Sequence, residues 1–248
     1  MRRWIVPLVP LLLAAACGGG SSAATPTPSP GQVTHDAAAL QQAADRIRQA
    51  LPAGSQVLQS AAINPQQLYA QAPDAAQTAQ RILAAGWVAA VRLRAGLAAL
   101  DQVTIDLVSF TSTTGARRGF ELTRQRATET RAVGATIGTA AQQQRSISLT
   151  SMRVVAATPP AGLGDEAAAS DFGAQVVDAR SGLKVPVEAY TLVSRVGRTL
   201  AIVSYVGISH PADRATAAQI ARAAVEALRA GSFALVFPAH SSQGVAAT

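Results

Sequence analysis

Twice along this 248-residue chain, two segments with apolar side chains at alternate positions precede one with apolar side chains three and four apart. In the first set, Trp87–Arg94 puts Trp87, Ala89, Val91 and Leu93 on one face. Val103–Thr111 follows, with Val103, Ile105 and Leu107 opposite Thr104, Asp106 and Val108. Thr114–Arg131 then carries Ala116, Phe120, Thr123 and Ala127 along one helical stripe. In the second set, Lys184–Arg195 and Thr199–Gly207 turn at Val196-Gly197. A helix opened by Pro211 follows, presenting Ala217, Ile220, Ala221, Ala224, Val225 and Leu228 and stopping at Gly231. A period of two marks a half-buried strand, and a period of 3.6 marks an amphipathic helix. Each unit has an apolar face it cannot bury alone. The pattern therefore predicts an α+β fold: one mostly antiparallel sheet with helices packed against it, in two strand–strand–helix halves. The residues of the halves do not match, so this is an echo of architecture and not a sequence repeat.

The rest of the chain adds elements to that frame. Asp36–Leu51 reads as a helix through Leu40, Ala43, Ala44, Ile47 and Leu51, with Pro52 and Gly54 as its stop. Gln56–Ile63 reads as a strand, and Pro65–Ala72 and Ala75–Ala85 as two helical pieces broken at Pro73-Asp74. Val133–Thr150, with three successive glutamines, reads as a connection between halves. Ser151–Ala157, Glu166–Val177 and Phe233–Phe237 read as further strands. Aromatic residues are only 4% of the chain, so the core is built from Ala, Val, Leu and Ile.

Residues 1–16 have a short basic start (Arg2, Arg3), an apolar stretch from Trp4 to Leu13, and small residues before Cys17. That order is a secretory signal. Its apolar stretch falls well short of the roughly 20 residues that span a bilayer, and Pro7 and Pro10 interrupt it. With Cys17 directly after Ala14-Ala15-Ala16, the segment resembles the lipobox of bacterial lipoproteins, although Ala14 stands where leucine is usual. The resemblance implies diacylglyceryl transfer to the Cys17 thiol, cleavage before it and acylation, palmitate among the chains, of the new amino terminus. It implies a cell-membrane lipoprotein facing outside the cytoplasm. A twin-arginine signal at Arg2-Arg3 and an unmodified thiol are the alternatives. Cys17 is the only cysteine, so disulfides, zinc thiolates and cysteine nucleophiles are excluded from the rest of the chain. Residues 17–34, rich in Gly, Ser, Thr and Pro, read as a flexible spacer. Residues 35–237 read as one globular domain and 238–248 as a loose tail.

Gly162-Leu163-Gly164-Asp165-Glu166-Ala167, the strand pair with the tip Arg195-Val196-Gly197-Arg198, and the closing helix resemble a loose group of uncharacterised exported bacterial lipoproteins over about residues 85–230. The resemblance implies an α+β sandwich similar to PsbP/Mog1-like domains, and carries no catalytic or binding residues with it. Gly162-x-Gly164-x-x-Ala167 also matches a dinucleotide fingerprint superficially. Pro159-Pro160 before it and a strand-like stretch after it make it a structural turn, so no cofactor is expected.

Asp165, Glu166, Asp171 and Asp178 lie close in sequence, but not in a calcium-loop spacing. His35, His210 and His240 are not at metal-ligand spacing, and no Gly-x-Ser-x-Gly turn supplies a nucleophile. No metal site is expected. The formal net charge is +7, and all basic residues but Lys184 are arginine. Without interleaved aromatics they do not suit nucleic acid. Arg117, Arg118 and Arg124 on the basic helix form a candidate contact for an anionic surface; a solvated face is the alternative. The expectation is a lipid-anchored binding or interaction module that is not an enzyme. Its partners would be the membrane, through the lipid on Cys17, and an anionic envelope polymer, an apolar ligand or an envelope protein. An accessory or scaffold of envelope or transport machinery is the second reading, and a hydrolase the third.

Overall fold

The computed structural model describes residues 27–70, 74–97, 101–128, 147–178, 180–231 and 233. Cys17, the signal, most of the spacer, residues 133–146 of the expected connection, Arg131, the strand expected at Phe233–Phe237 beyond its first residue, His240 and the tail lie outside the described residues; residues 147–150, expected to end that connection, instead begin a strand. The elements run α1 (Pro30–Gln49), β1 (Gln56–Ala62), α2 (Pro65–Leu68), α3 (Ala75–Ala84), β2 (Trp87–Gly96), β3 (Gln102–Phe110) and α4 (Thr113–Ala127). After these come β4 (Ile147–Ala157), β5 (Glu166–Asp178), β6 (Lys184–Val196), β7 (Thr199–Ile208) and α5 (Arg214–Ala230).

The seven strands form one sheet in the order β1-β2-β3-β7-β6-β5-β4. Every neighbouring pair is antiparallel. The two predicted hairpins meet at the centre, where β3 pairs with β7 from Gln102↔Val206 to Ser109↔Thr199. Alternation then sorts the side chains into two layers. Leu93, Ile105, Leu107, Leu192 and Val203 pack with Leu40 and Ile47 of α1 and Ile220 and Leu228 of α5. Ala90, Val108, Phe110, Val193 and Leu200 pack on the other face with Ile82 of α3 and Phe120 of α4. The fold is thus three layers, helix–sheet–helix. The two units are not superposable halves: α4 and α5 cover opposite faces of the sheet.

Several boundaries move for identifiable reasons. α1 starts at Pro30, inside the stretch read as spacer and ahead of the expected Asp36. Ser29 caps it by accepting from Gln32 N, and Pro30 occupies its first turn, where a missing N–H costs nothing. His35 is therefore helical. α5 starts at Arg214 and not at Pro211, because Asp213 accepts from Ala215 N and Thr216 N. The β6–β7 turn is Gly197-Arg198, one residue later than expected, with Val196 paired to Thr199 and Gly197 at φ +56°. Trp87 leaves the face of Ala89 and Val91 for the opposite cluster, because a bulge shifts the register between Trp87 and Ala89.

Candidate functional site

The turn Gly162–Ala167 and the β6–β7 tip, recognised separately in the sequence, form one structure. Gly164 has φ +77°, and a Cβ there would stand 2.3 Å from the Arg195 carbonyl oxygen. Asp165 N donates to that carbonyl at 2.7 Å. The Asp165 carboxylate accepts from Gly197 N at 2.8 Å and from Arg195 Nη1 at 3.1 Å. Glu166 accepts from Arg195 Nη2 at 3.1 Å and from Arg117 Nε at 3.0 Å. Asp165 thus caps a backbone turn, and that turn belongs to the neighbouring hairpin.

Arg198 continues the tip inward. Its Nη1 and Nη2 donate to Asp36 of α1 at 2.5 and 2.7 Å; Nη1 also reaches Phe110 O, and Nε reaches Phe233 O, each at 2.7 Å. Arg198 is 5% exposed and Asp36 wholly buried. A second buried pair joins β2 to β3, where Arg92 Nε and Nη2 donate to Asp106 at 2.6 and 2.9 Å. Burial opposes the charge on Arg92, and the contact with Asp106 outweighs it, so its pKa lies above the ordinary arginine value. These clamps escaped the sequence reading because each needs a register. Arg92 and Asp106 face each other only once β2 and β3 are aligned.

The α4 arginines divide into two groups. Arg117 is bound to Glu166, Arg124 to Glu121 at 2.5 Å, and Arg126 to Asp74 and Thr78. Arg118 makes no hydrogen bond or ion pair among the described residues. Beside it, the Arg81 side chain of α3 equally has no partner among the described residues, and the two line an open depression of about 300 Å³ with Ala84, Ala85 and Leu122. Arg81 was not among the expected contacts, since 37 residues separate it from Arg118; only the packing of α3 beside α4 brings them together.

The remaining acids are dispersed. Asp171 binds Arg214, and Asp178 accepts from Arg180 N and Ser181 Oγ within its own turn. Among the described residues no group of three or more His, Cys, Asp and Glu could hold a metal ion. At the start of α5, Tyr205 donates to Asp101 Oδ2 at 2.5 Å, while His210 Nε2 stands 2.9 Å from Oδ1. Burial, and then the bond to Asp101, push the Tyr205 hydroxyl well above the usual phenol range. Burial likewise pushes Tyr69 up to about 12, against the bond it shares with Thr123. Both phenols are hydrogen-bonded parts of the fold. Among the described residues no helix is long and apolar enough to cross a membrane.

No family model and no curated protein matches the chain. Solved structures similar to it include two from mycobacteria. One is the extracellular domain of PknH from Mycobacterium tuberculosis, at 12% identity and a TM-score of 0.39 over 75% of this chain and 95% of that one. The other is a putative uncharacterized protein from Mycobacterium smegmatis, at 12% identity and a TM-score of 0.44 over 77% of this chain and 97% of that one.

Proposed function

We propose that this chain is a lipid-anchored binding module on the outer side of the cell membrane, held there by acyl chains on Cys17, and that it carries out no catalysis. The observation that carries the reading is the commitment of eight of its fourteen carboxylates. Asp36, Asp74, Asp106, Asp165, Glu166 and Asp171 are each bound by an arginine. Asp178 and Asp213 are occupied by backbone N–H groups. Acids held in this way stabilise turns and layers; burial holds Asp106 above the ordinary carboxylate pKa against the pull of Arg92, but that arginine occupies both its oxygens. The exposed surplus is arginine, which suits an anionic ligand or surface. The exported-lipoprotein resemblance of the leader and of the Gly162–Ala167 turn supports the placement.

Cys17→Ser tests the anchor: the variant is expected to lose both detergent-phase partitioning and the mass of the acyl chains. Unchanged partitioning and mass would remove the anchor. Arg117, Arg118 and Arg124, all replaced by Gln, test the surface. Binding to an anionic wall polymer is expected to weaken, and the parent's binding to fall with salt, because exposed charges are screened beyond about 8–10 Å at 0.1–0.15 M. Equal binding by variant and parent at low salt would exclude these arginines from the contact.

A second reading, an accessory that docks an envelope protein, is favoured by β4. It is an outer strand of the sheet, and Met152 and Val155 are exposed by 44% and 55%. Such an edge offers backbone donors and acceptors to an added strand.

A further inference from the structure

We infer that the depression between α3 and α4 is a binding site for a phosphate group carrying a short apolar substituent, with Arg81 and Arg118 as the two cationic arms. The inference rests on the binding-module reading above and names the ligand class.

Arg81 lies near the end of α3 and Arg118 in the first half of α4, and both border the same hollow. An anion held between two arginines of one depression is favoured by both, and no acid lines this one. Elsewhere on these helices that anion is a carboxylate: Glu166 serves Arg117, Glu121 serves Arg124, and Asp74 serves Arg126. Those acids are taken, and neither the Arg81 nor the Arg118 side chain has a hydrogen bond or ion pair among the described residues. The fold has neutralised the flanking arginines and left this pair open.

Geometry and lining narrow the chemistry. Arginine presents parallel N–H donors that match the oxygens of phosphate better than a point charge does. The third side of the hollow is apolar: Ala84, buried Ala85 and half-buried Leu122. A volume of about 300 Å³ is at the lower end of small-ligand sites. It suits a headgroup and a few carbons, not a whole lipid or cofactor. The position of Ala85 is fixed from below, because Gly115 of α4 allows the Ala85 carbonyl to approach to 2.1 Å from where a Cβ would stand. Any larger residue at Gly115 would push α3 away from α4 and open the hollow.

Two sources share this chemistry, a membrane phospholipid headgroup and a free organic phosphate. Isothermal titration of the full-length chain in neutral detergent tests both, with monomeric dihexanoyl phosphatidylglycerol and with monobutyl phosphate as probes. Saturable binding of either is expected, and Arg81→Gln/Arg118→Gln is expected to weaken it about tenfold or more. Arg222→Gln, which alters an exposed arginine of α5 on the other face of the sheet, is expected to leave it unchanged. Binding of the lipid alone assigns the headgroup source; binding of butyl phosphate assigns the free one. The site is overturned if neither probe saturates, or if the double variant binds as the parent does. It is equally overturned if inorganic phosphate competes as well as butyl phosphate does, since the apolar wall would then contribute nothing. Loss of the site with retained binding to wall polymer would leave the binding-module reading standing.

Discussion

Arg198 and Asp36 are 162 positions apart and satisfy one another bidentately in the interior. Two charges removed from water are tolerable only together, so removing one leaves the other desolvated and unpaired. Arg198→Gln or Asp36→Asn alone is expected to cost about 3–5 kcal/mol in urea denaturation. Replacing both, with Arg198→Met and Asp36→Leu, is expected to cost less than the sum of the single changes, because no unpaired charge remains. Additive losses would show that the two side chains do not act as a pair. The sequence offered a partial signal here. The tip Arg195-Val196-Gly197-Arg198 was legible as a unit, yet nothing in it says that Arg195 turns outward to Asp165 and Glu166 while Arg198 turns inward.

The elements are closed by local chemistry, and this level was the most legible. Leu40, Ala43, Ala44 and Ile47 of α1 and Ala217, Ile220, Ala221, Ala224, Val225 and Leu228 of α5 are all buried, as their spacing required. The helix starts were harder, since Pro30 and Pro211 look alike as openers and only the capping residue distinguishes them. Asp213→Ala is expected to cost about 1 kcal/mol by removing the bonds to Ala215 N and Thr216 N; thermal melting checks it. The caps also set an acid limit. Asp213 is held below its ordinary pKa chiefly by Thr216 N–H, Asp178 by Arg180 N–H and Asp74 by the bond from Arg126. For Glu166, burial acts upward but the bonds from Arg117 and Arg195 outweigh it, leaving its pKa lowered. Groups with depressed folded pKa values bind fewer protons folded than unfolded. Their stabilisation is present above the ordinary carboxylate range and is lost as pH falls through the folded values. Asp106 acts the other way, since burial raises its folded pKa against the pull of Arg92; the four lowered groups outnumber it, so the urea midpoint is expected to fall from about pH 5 to about pH 2. A flat midpoint across that range would show that these contacts do not stabilise the fold.

For the whole molecule, the start of the domain matters more than its spacer composition suggests. A chain beginning at residue 27 keeps Ser29, Pro30 and the first turn of α1, whereas one beginning at residue 36 puts Asp36 at a frayed terminus and weakens its hold on Arg198. The longer chain is expected to show a mixed helix and strand circular dichroism spectrum and to melt cooperatively. The shorter one is expected to melt several degrees lower. Equal melting temperatures would mean that the Asp36–Arg198 clamp forms without the α1 cap.

The sequence by itself determined the periods, and with them most of the strands, helices and apolar faces, because these depend on side chains two, three or four apart. It also identified Gly162–Ala167 as a turn, because glycine and proline act locally. Only the tertiary structure decided that β3 and β7 join the two hairpins and that α4 and α5 lie on opposite faces. Only there does Arg81 come beside Arg118 while the neighbouring arginines find carboxylates. Those outcomes depend on register and layer packing between residues tens of positions apart, and no local period encodes that.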